Sequence, residues 1–167
     1  VSENRDIISF DLRSDKIQIY VPGLPSTDQL ISVFAENDKG TLVIGGLGNI
    51  FRYRPESKKL DRFPVLGKES ATLIRRSPNG EWWVATYNGL FHLDSLFRVK
   101  NSYSRKSQDM KLTGNEVSDI FFNSATDLWV AHDQGIQRLD LKAGKITDSI
   151  PSSWLPDKRV TTIRADR

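Results

Sequence analysis

Four hydroxyl side chains recur at near-regular spacing along this chain: Ser32, Thr72, Ser118 and Thr161, separated by 40, 46 and 43 residues. A hydroxyl both donates and accepts, so four of them brought to one place could hydrogen-bond a carbohydrate or another polar ligand. Each could equally bond to an adjacent strand, and the two threonines suit a strand through β-branching alone. Three residues beyond Thr72 and Thr161 stand Arg75 and Arg164, where the other two copies carry Ala35 and Phe121. Two guanidinium groups held near each other would pair bidentately with a carboxylate or sulfate, or form a salt bridge to a neighbouring repeat. Trp154 lies between Pro151 and Pro156. An aromatic in a proline-bounded loop is a candidate stacking surface for a ligand or partner.

Residues that would support catalysis are sparse. His92 and His132 fall at non-equivalent places in the repeat, so they imply no shared metal site, which would need three or four convergent ligands. The absence of cysteine excludes disulfides, thiolate metal ligands and cysteine nucleophiles. There is no nucleophile elbow and no phosphate-cradling glycine loop. Nothing selects a glycosidase-type pair among the 21 acidic residues. The expectation is a chain with no catalytic residue, no metal and no cofactor.

What must position these side chains is a phrase that occurs three times: Gly40-Thr41-Leu42-Val43-Ile44-Gly45-Gly46, Gly80-Glu81-Trp82-Trp83-Val84-Ala85-Thr86 and Thr126-Asp127-Leu128-Trp129-Val130-Ala131-His132. Each is followed by a short polar turn and a second run, at 50–53, 90–93 and 136–139. Each is preceded, nine residues before its turn, by Ile31, Ala71 or Val117; Val160 begins the pattern again. Within residues 71–103, a β-branched and apolar run ends at Ser77-Pro78-Asn79-Gly80, which is turn chemistry. A second strand over 82–86, a turn at Tyr87-Asn88-Gly89, a third strand over 90–94 and a fourth within 97–103 follow. The same reading fits 31–63 and 117–150, and no stretch shows helical periodicity with caps.

A four-stranded antiparallel unit of about 40–45 residues in tandem is the signature of a β-propeller blade. One blade has two apolar faces, and neighbouring blades must bury both. Trp83 and Trp129 share a register and are expected in the blade-to-blade core, with Trp82 on the opposite face. The longest connection, 104–115, is polar and would form an extra loop on one face. The chain reads as one incomplete, all-β propeller: a partial blade at 1–25, blades at 31–63, 71–103 and 117–150, and the start of another at 160–167. The leading strands, 7–12 and 16–20, match the third and fourth of a blade, and the trailing one matches the first. Propellers close with about four to eight blades, so three complete repeats imply a segment of a larger ring, or copies that complete one together. Edge strands left open would invite self-association.

The bulk numbers agree with a folded chain: 38% hydrophobic and 27% charged residues over 167 positions. No apolar stretch approaches the roughly 20 residues that span a bilayer, so no membrane contact is expected from this segment itself. Residues 1–6 are no signal peptide, and a chain cut from a longer protein would lack one anyway. The net charge is +3, but Lys58-Lys59, Arg75-Arg76, Arg105-Lys106 and Lys158-Arg159 are scattered over different repeat positions. A nucleic-acid reader would gather them on one stripe with stacking aromatics, so no nucleic-acid partner is expected.

The repeat resembles the two-component regulator propeller family. The resemblance rests on Val117…Ile120…Asn123…Leu128-Trp129-Val130-Ala131…Gly135-Ile136 and on Ala71…Ile74…Gly80…Trp83…Thr86…Gly89-Leu90-Phe91. It covers about residues 31–167 and, more weakly, 7–20. Val43 replaces the expected Trp, Asn49 the second glycine and Thr126 the turn glycine. The absence of a Trp-Asp dipeptide and the single Gly-Gly pair set it apart from WD40 and kelch blades. The resemblance implies a periplasmic sensor region, ahead of a membrane helix and a cytoplasmic histidine kinase or diguanylate cyclase, recognising a small-molecule or glycan ligand. First strands would line the central channel, which makes Ser32, Thr72, Ser118, Thr161, Arg75 and Arg164 candidate ligand-binding residues, with Trp154, outside the repeats in its proline-bounded loop, as a further one. Two other classes stay open: a lyase-type propeller enzyme, with a metal and a general base, and a scaffold that only binds protein.

Overall fold

The computed structural model describes residues 5–11 and 16–24 by their backbone, and residues 33–36, 40–155, 157 and 159–164 in full. Fourteen strands run in chain order through the described residues. β1 (Arg5–Asp11) and β2 (Lys16–Leu24) form an antiparallel pair. Three four-stranded antiparallel sheets follow. The first is β3 (Val33–Glu36), β4 (Leu42–Gly45), β5 (Ile50–Arg54) and β6 (Lys59–Phe63). The second is β7 (Ala71–Arg76), β8 (Trp82–Thr86), β9 (Gly89–Leu93) and β10 (Val99–Tyr103). The third is β11 (Val117–Ser124), β12 (Asp127–His132), β13 (Gly135–Asp140) and β14 (Lys145–Pro151), ending in a 3-10 turn over Ser152–Trp154. In each sheet the strands pair in sequence order, because two- to five-residue turns leave no room for a crossover.

The turns use the local chemistry expected of them. Ser77 caps the β7–β8 turn, its Oγ donating to the Glu81 carbonyl (2.9 Å) and accepting from the Glu81 amide (3.0 Å). Gly89 and Gly135 open β9 and β13 with φ of 135° and 129°. A Cβ there would stand 2.3 Å from the Tyr103 carbonyl oxygen and 2.1 Å from that of Ile150, so in the second and third sheets the fourth strand closes on the third over a glycine. In the first sheet the equivalent Asn49 is buried, donates to the Leu47 carbonyl (2.7 Å) and accepts from Arg62 Nε (2.9 Å).

Strand alternation gives every sheet two faces, and the sheets bury them against each other. Val43 and Ile50 of the first sheet meet Ala71, Ile74, Trp82, Val84, Leu93 and Phe97 of the second. The opposite face of the second sheet, with Trp83, Ala85, Leu90 and Tyr103, meets Val117, Ile120, Leu128, Val130 and Leu139 of the third. Trp83 is 1% exposed and stacks on His92 (4.2 Å) and Tyr103 (5.7 Å). Trp82, on the other face, is buried and stacks on Phe97 at 5.6 Å. Trp129 departs from the shared-register expectation. It is only half-buried, on the face of the third sheet turned away from the second, with the Arg138 guanidinium 5.5 Å over its ring. Equal register fixes the face on which a side chain lies. What covers that face is a separate matter.

The long connection between the second and third sheets is pinned down rather than loose. Leu112 is fully buried in the core between those sheets. The Thr113 amide donates to Gln137 Oε1 (2.8 Å), and the amides of Asn115 and Glu116 donate to Asp133 Oδ1 (2.9 and 3.2 Å). Residues 160–164, the described part of 160–167 where a trailing strand is expected, carry no strand pairing among the described residues. A strand exists by its ladder, and no described segment offers them one.

Candidate functional site

The first strands of successive sheets pack side by side, β3 against β7 and β7 against β11. Of the candidate residues, Thr72, Arg75 and Ser118 lie along this edge. β7 and β11 each carry a register shift at the same place, between Ala71 and Leu73 and between Val117 and Asp119. The extra residue of each irregularity is the hydroxyl residue itself, Thr72 or Ser118. A bulge re-aims its side chain, and both hydroxyls point to the next repeat. Thr72 Oγ1 donates to the Val117 carbonyl at 3.4 Å, and Ser118 Oγ donates to the Val160 carbonyl at 2.6 Å. Thr161 is exposed. Ser32 lies outside the described residues.

Arg75 and Arg164 converge on one carboxylate, that of Asp119. Arg75 Nη2 approaches Oδ1 at 3.4 Å, and Arg164 Nη1 meets Oδ2 at 2.8 Å. Thr162 Oγ1 (2.7 Å) and the Ile163 amide (3.1 Å) also donate to Oδ2, and the Ile120 amide donates to Oδ1 (2.9 Å). Asp119 is 3% exposed. Burial alone would raise its carboxyl, but the hydrogen bonds from Thr162, Ile163, Arg164 and Ile120 outweigh that and hold it below the ordinary aspartate value. The second sheet, the third sheet and the segment that follows thus meet at a single charge. The guanidinium side chains stay 42% and 66% exposed, so each keeps further N–H donors for an anion arriving from solvent. Trp154 is 76% exposed on its 3-10 turn, and no described contact ties it to this cluster.

Asp119 was not among the residues singled out from the sequence. One signal pointed to it: the position is Val33 in β3 and Leu73 in β7, so a carboxylate breaks an apolar register. A second cluster also went unread. Glu81 accepts from Lys100 Nζ at 2.6 Å and lies 2.7 Å from His92 Nε2. Burial lowers the His92 imidazole, and Glu81 only partly offsets this. His132 is buried, with Nε2 2.9 Å from Gln137 Oε1 and Nδ1 accepting from the Gln134 amide at 3.1 Å. The two histidines sit in different sheets with different partners. Among the described residues no three His, Asp or Glu side chains are grouped to hold a metal ion, and no helix is long and apolar enough to cross a membrane.

No family model matches the chain, and neither does any curated protein. Solved structures do. The extracellular domain of a protein assigned to a hybrid two component system of B. thetaiotaomicron aligns over 96% of this chain and 20% of its own length, at 22% identity and a TM-score of 0.67. The extracellular domain of a protein assigned to a one component system of the same organism aligns over 97% of this chain and 22% of its own, at 16% identity and a TM-score of 0.70. Virginiamycin B lyase of Staphylococcus aureus aligns over 90% and 50%, at 17% identity and a TM-score of 0.64. The chain therefore spans between a fifth and a half of the length of these structures. Likeness at such identity establishes the architecture: an all-β, β-propeller segment of four-stranded antiparallel blades.

Proposed function

We propose that this chain is a non-catalytic segment of the extracytoplasmic sensor of a bacterial membrane signalling receptor. The observation that carries the reading is the alignment of nearly the whole chain with two extracellular domains assigned to signalling systems. In this reading the three sheets are successive blades, and residues 160–164 begin the next. Its support is that Ser118 engages Val160 as Thr72 engages Val117. The ligand, a small molecule or glycan, meets the first-strand edge at Thr72, Ser118 and Arg75 and the following segment at Thr161 and Arg164, with Trp154 as a stacking surface; Ser32, equivalent in sequence spacing, completes the set. Binding there favours one receptor conformation, which is passed to a cytoplasmic histidine kinase or diguanylate cyclase. The reading frame that encodes this segment tests the proposal. A membrane-spanning helix followed by a kinase or cyclase domain is the expected result; a free propeller without an anchor sinks the receptor reading.

The likeness to virginiamycin B lyase supports a second reading, a propeller lyase. Its test is metal-dependent opening of a streptogramin B ring by the full-length protein, followed by mass spectrometry. Turnover abolished by His92→Ala or His132→Ala favours the enzyme, and no turnover at any divalent metal retires it.

A further inference from the structure

The geometry points to a binding site for a neutral, hydroxyl-rich ring, a pyranose sugar or a cyclitol, between the second and third four-stranded sheets. It does not rest on the sensor reading. The site lies along β10, at the edge of the second sheet opposite β7, and so away from the first strands that carry Arg75 and Asp119. A cavity of about 730 Å³ opens there, walled by β10, by the start of the 104–115 connection and by the β13–β14 turn. That volume falls within the roughly 300–1,000 Å³ of small-molecule sites. Asn101, Ser102 and Gln108 line it with groups that both donate and accept. Tyr103, Met110 and Leu141 add apolar surface. Lys106 and Asp109 bring one charge of each sign, and Lys100 is held by Glu81 at 2.6 Å. Such a lining suits hydroxyls arranged around an apolar ring face, and favours neither an anion nor a cation.

His92 supplies the second observation. It lines the same cavity, and its side chain is 9% exposed. Its Nε2 lies 2.7 Å from Glu81 Oε2. Burial would raise the Glu81 carboxyl, but hydrogen bonds from Lys100 and His92 outweigh that and hold it below the ordinary value. Glu81 is therefore an acceptor and Nε2 carries the proton. Burial also keeps the imidazole neutral, which leaves Nδ1 as a lone pair. Nδ1 is buried and has no hydrogen-bond partner among the described residues, and a buried acceptor is rarely left so. Trp83 stacks on the ring at 4.2 Å and Glu81 takes the other nitrogen, so the donor for Nδ1 comes from the cavity, as a ligand hydroxyl. The fold prepares this arrangement. A register shift between Val99 and Asn101 makes Lys100 the extra residue of a bulge, aimed at Glu81, and leaves Asn101 directly across from His92.

The test is titration of the chain with methyl α-D-glucopyranoside, with myo-inositol and with sodium acetate, all at one ionic strength. The readouts are the NMR resonances of the His92 ring nitrogens and of the Asn101 and Gln108 side-chain amides. The expected result is a saturable shift at these groups with a hydroxylated ring and none with acetate. Tighter glucoside assigns a pyranose, tighter inositol assigns a cyclitol, and equal affinity assigns the hydroxylated ring that they share. Asn101→Ala and Gln108→Ala each weaken binding about fivefold, the loss of one neutral hydrogen bond. Both positions are exposed, and the backbone amide spectrum of each variant reports its fold. Lys68→Gln, outside the cavity, binds as the parent does. The inference is overturned by the lack of a saturable shift with either ring, by acetate binding as tightly at the same groups, or by unchanged affinity in both folded variants.

Discussion

Arg164 Nη1 reaches Asp119 Oδ2 at 2.8 Å, across a separation of 45 residues. From the opposite side Arg75, 44 residues earlier, approaches the other oxygen at 3.4 Å. One buried carboxylate therefore joins the first strand of the second sheet, the first strand of the third and the segment that follows. The candidate ligand arginines are also the means by which the repeats are laced together. A ligand that drew on them would act directly on blade-to-blade contacts.

Replacing Asp119 by Asn keeps the size and removes the charge that both guanidiniums share. Because these are partly solvated, the expected loss is moderate, about 1–2 kcal/mol by urea unfolding. The local effect is larger than the global one: the Ile163 amide, which donates to Asp119, loses its protection from hydrogen exchange. Retained protection at Ile163 in the variant would show that the charge of Asp119 is not needed to seat residues 160–164, the remaining amide oxygen sufficing as acceptor.

The two tryptophans at one register separate under mutation. Trp83→Ala empties the core between the second and third sheets, at a cost of about 3–5 kcal/mol. Trp129→Ala removes a half-buried ring on a face that packs against no described sheet, at roughly 1–2 kcal/mol. Denaturation midpoints of the two variants check the difference; equal losses would mean that the Trp129 face is covered in solution.

Gly135→Ala forces a Cβ to 2.1 Å from the Ile150 carbonyl oxygen, and β13 and β14 must part. The expected cost is about 2–4 kcal/mol. At Gly144, φ is 64° and nothing lies within 4 Å of a new Cβ, so Gly144→Ala costs about 1 kcal/mol from backbone conformation alone. Thermal unfolding of the pair measures the gap, and a Gly144 variant as unstable as the Gly135 one contradicts it.

Burial lowers both imidazoles, with Glu81 offsetting part at His92 and Gln137 part at His132. The folded chain thus keeps them neutral at a pH where the unfolded chain has protonated them. Their contribution is undiminished above the unfolded value of about 6.5 and shrinks as pH falls through it toward the folded values. The unfolding temperature should drop between pH 7.5 and pH 5, less steeply in His92→Gln. An equal slope in parent and variant removes His92 from the account.

Strands and turns were legible because their signals are local. Ser77-Pro78-Asn79-Gly80 carries turn chemistry, and the continuous apolar run Leu128-Trp129-Val130-Ala131 marks a strand with two apolar faces. Thr72 and Ser118 were legible as equivalents, yet their roles were not. A one-residue register shift, invisible in composition, aims each at the next repeat's carbonyl. The partner of Arg75 and Arg164 was unreadable for another reason: Asp119 occupies a register that is apolar elsewhere, more than 40 residues from either arginine.

By itself the sequence determined the repeating unit, its strand order and the first strands that carry Thr72, Arg75 and Ser118, since short-range sterics and the two-residue strand period decide these. Only the tertiary structure decided which charges meet and which aromatic rings are covered. Pairing at Asp119 and burial of Trp83 but not Trp129 depend on the stacking of whole sheets, which brings together residues distant in the chain.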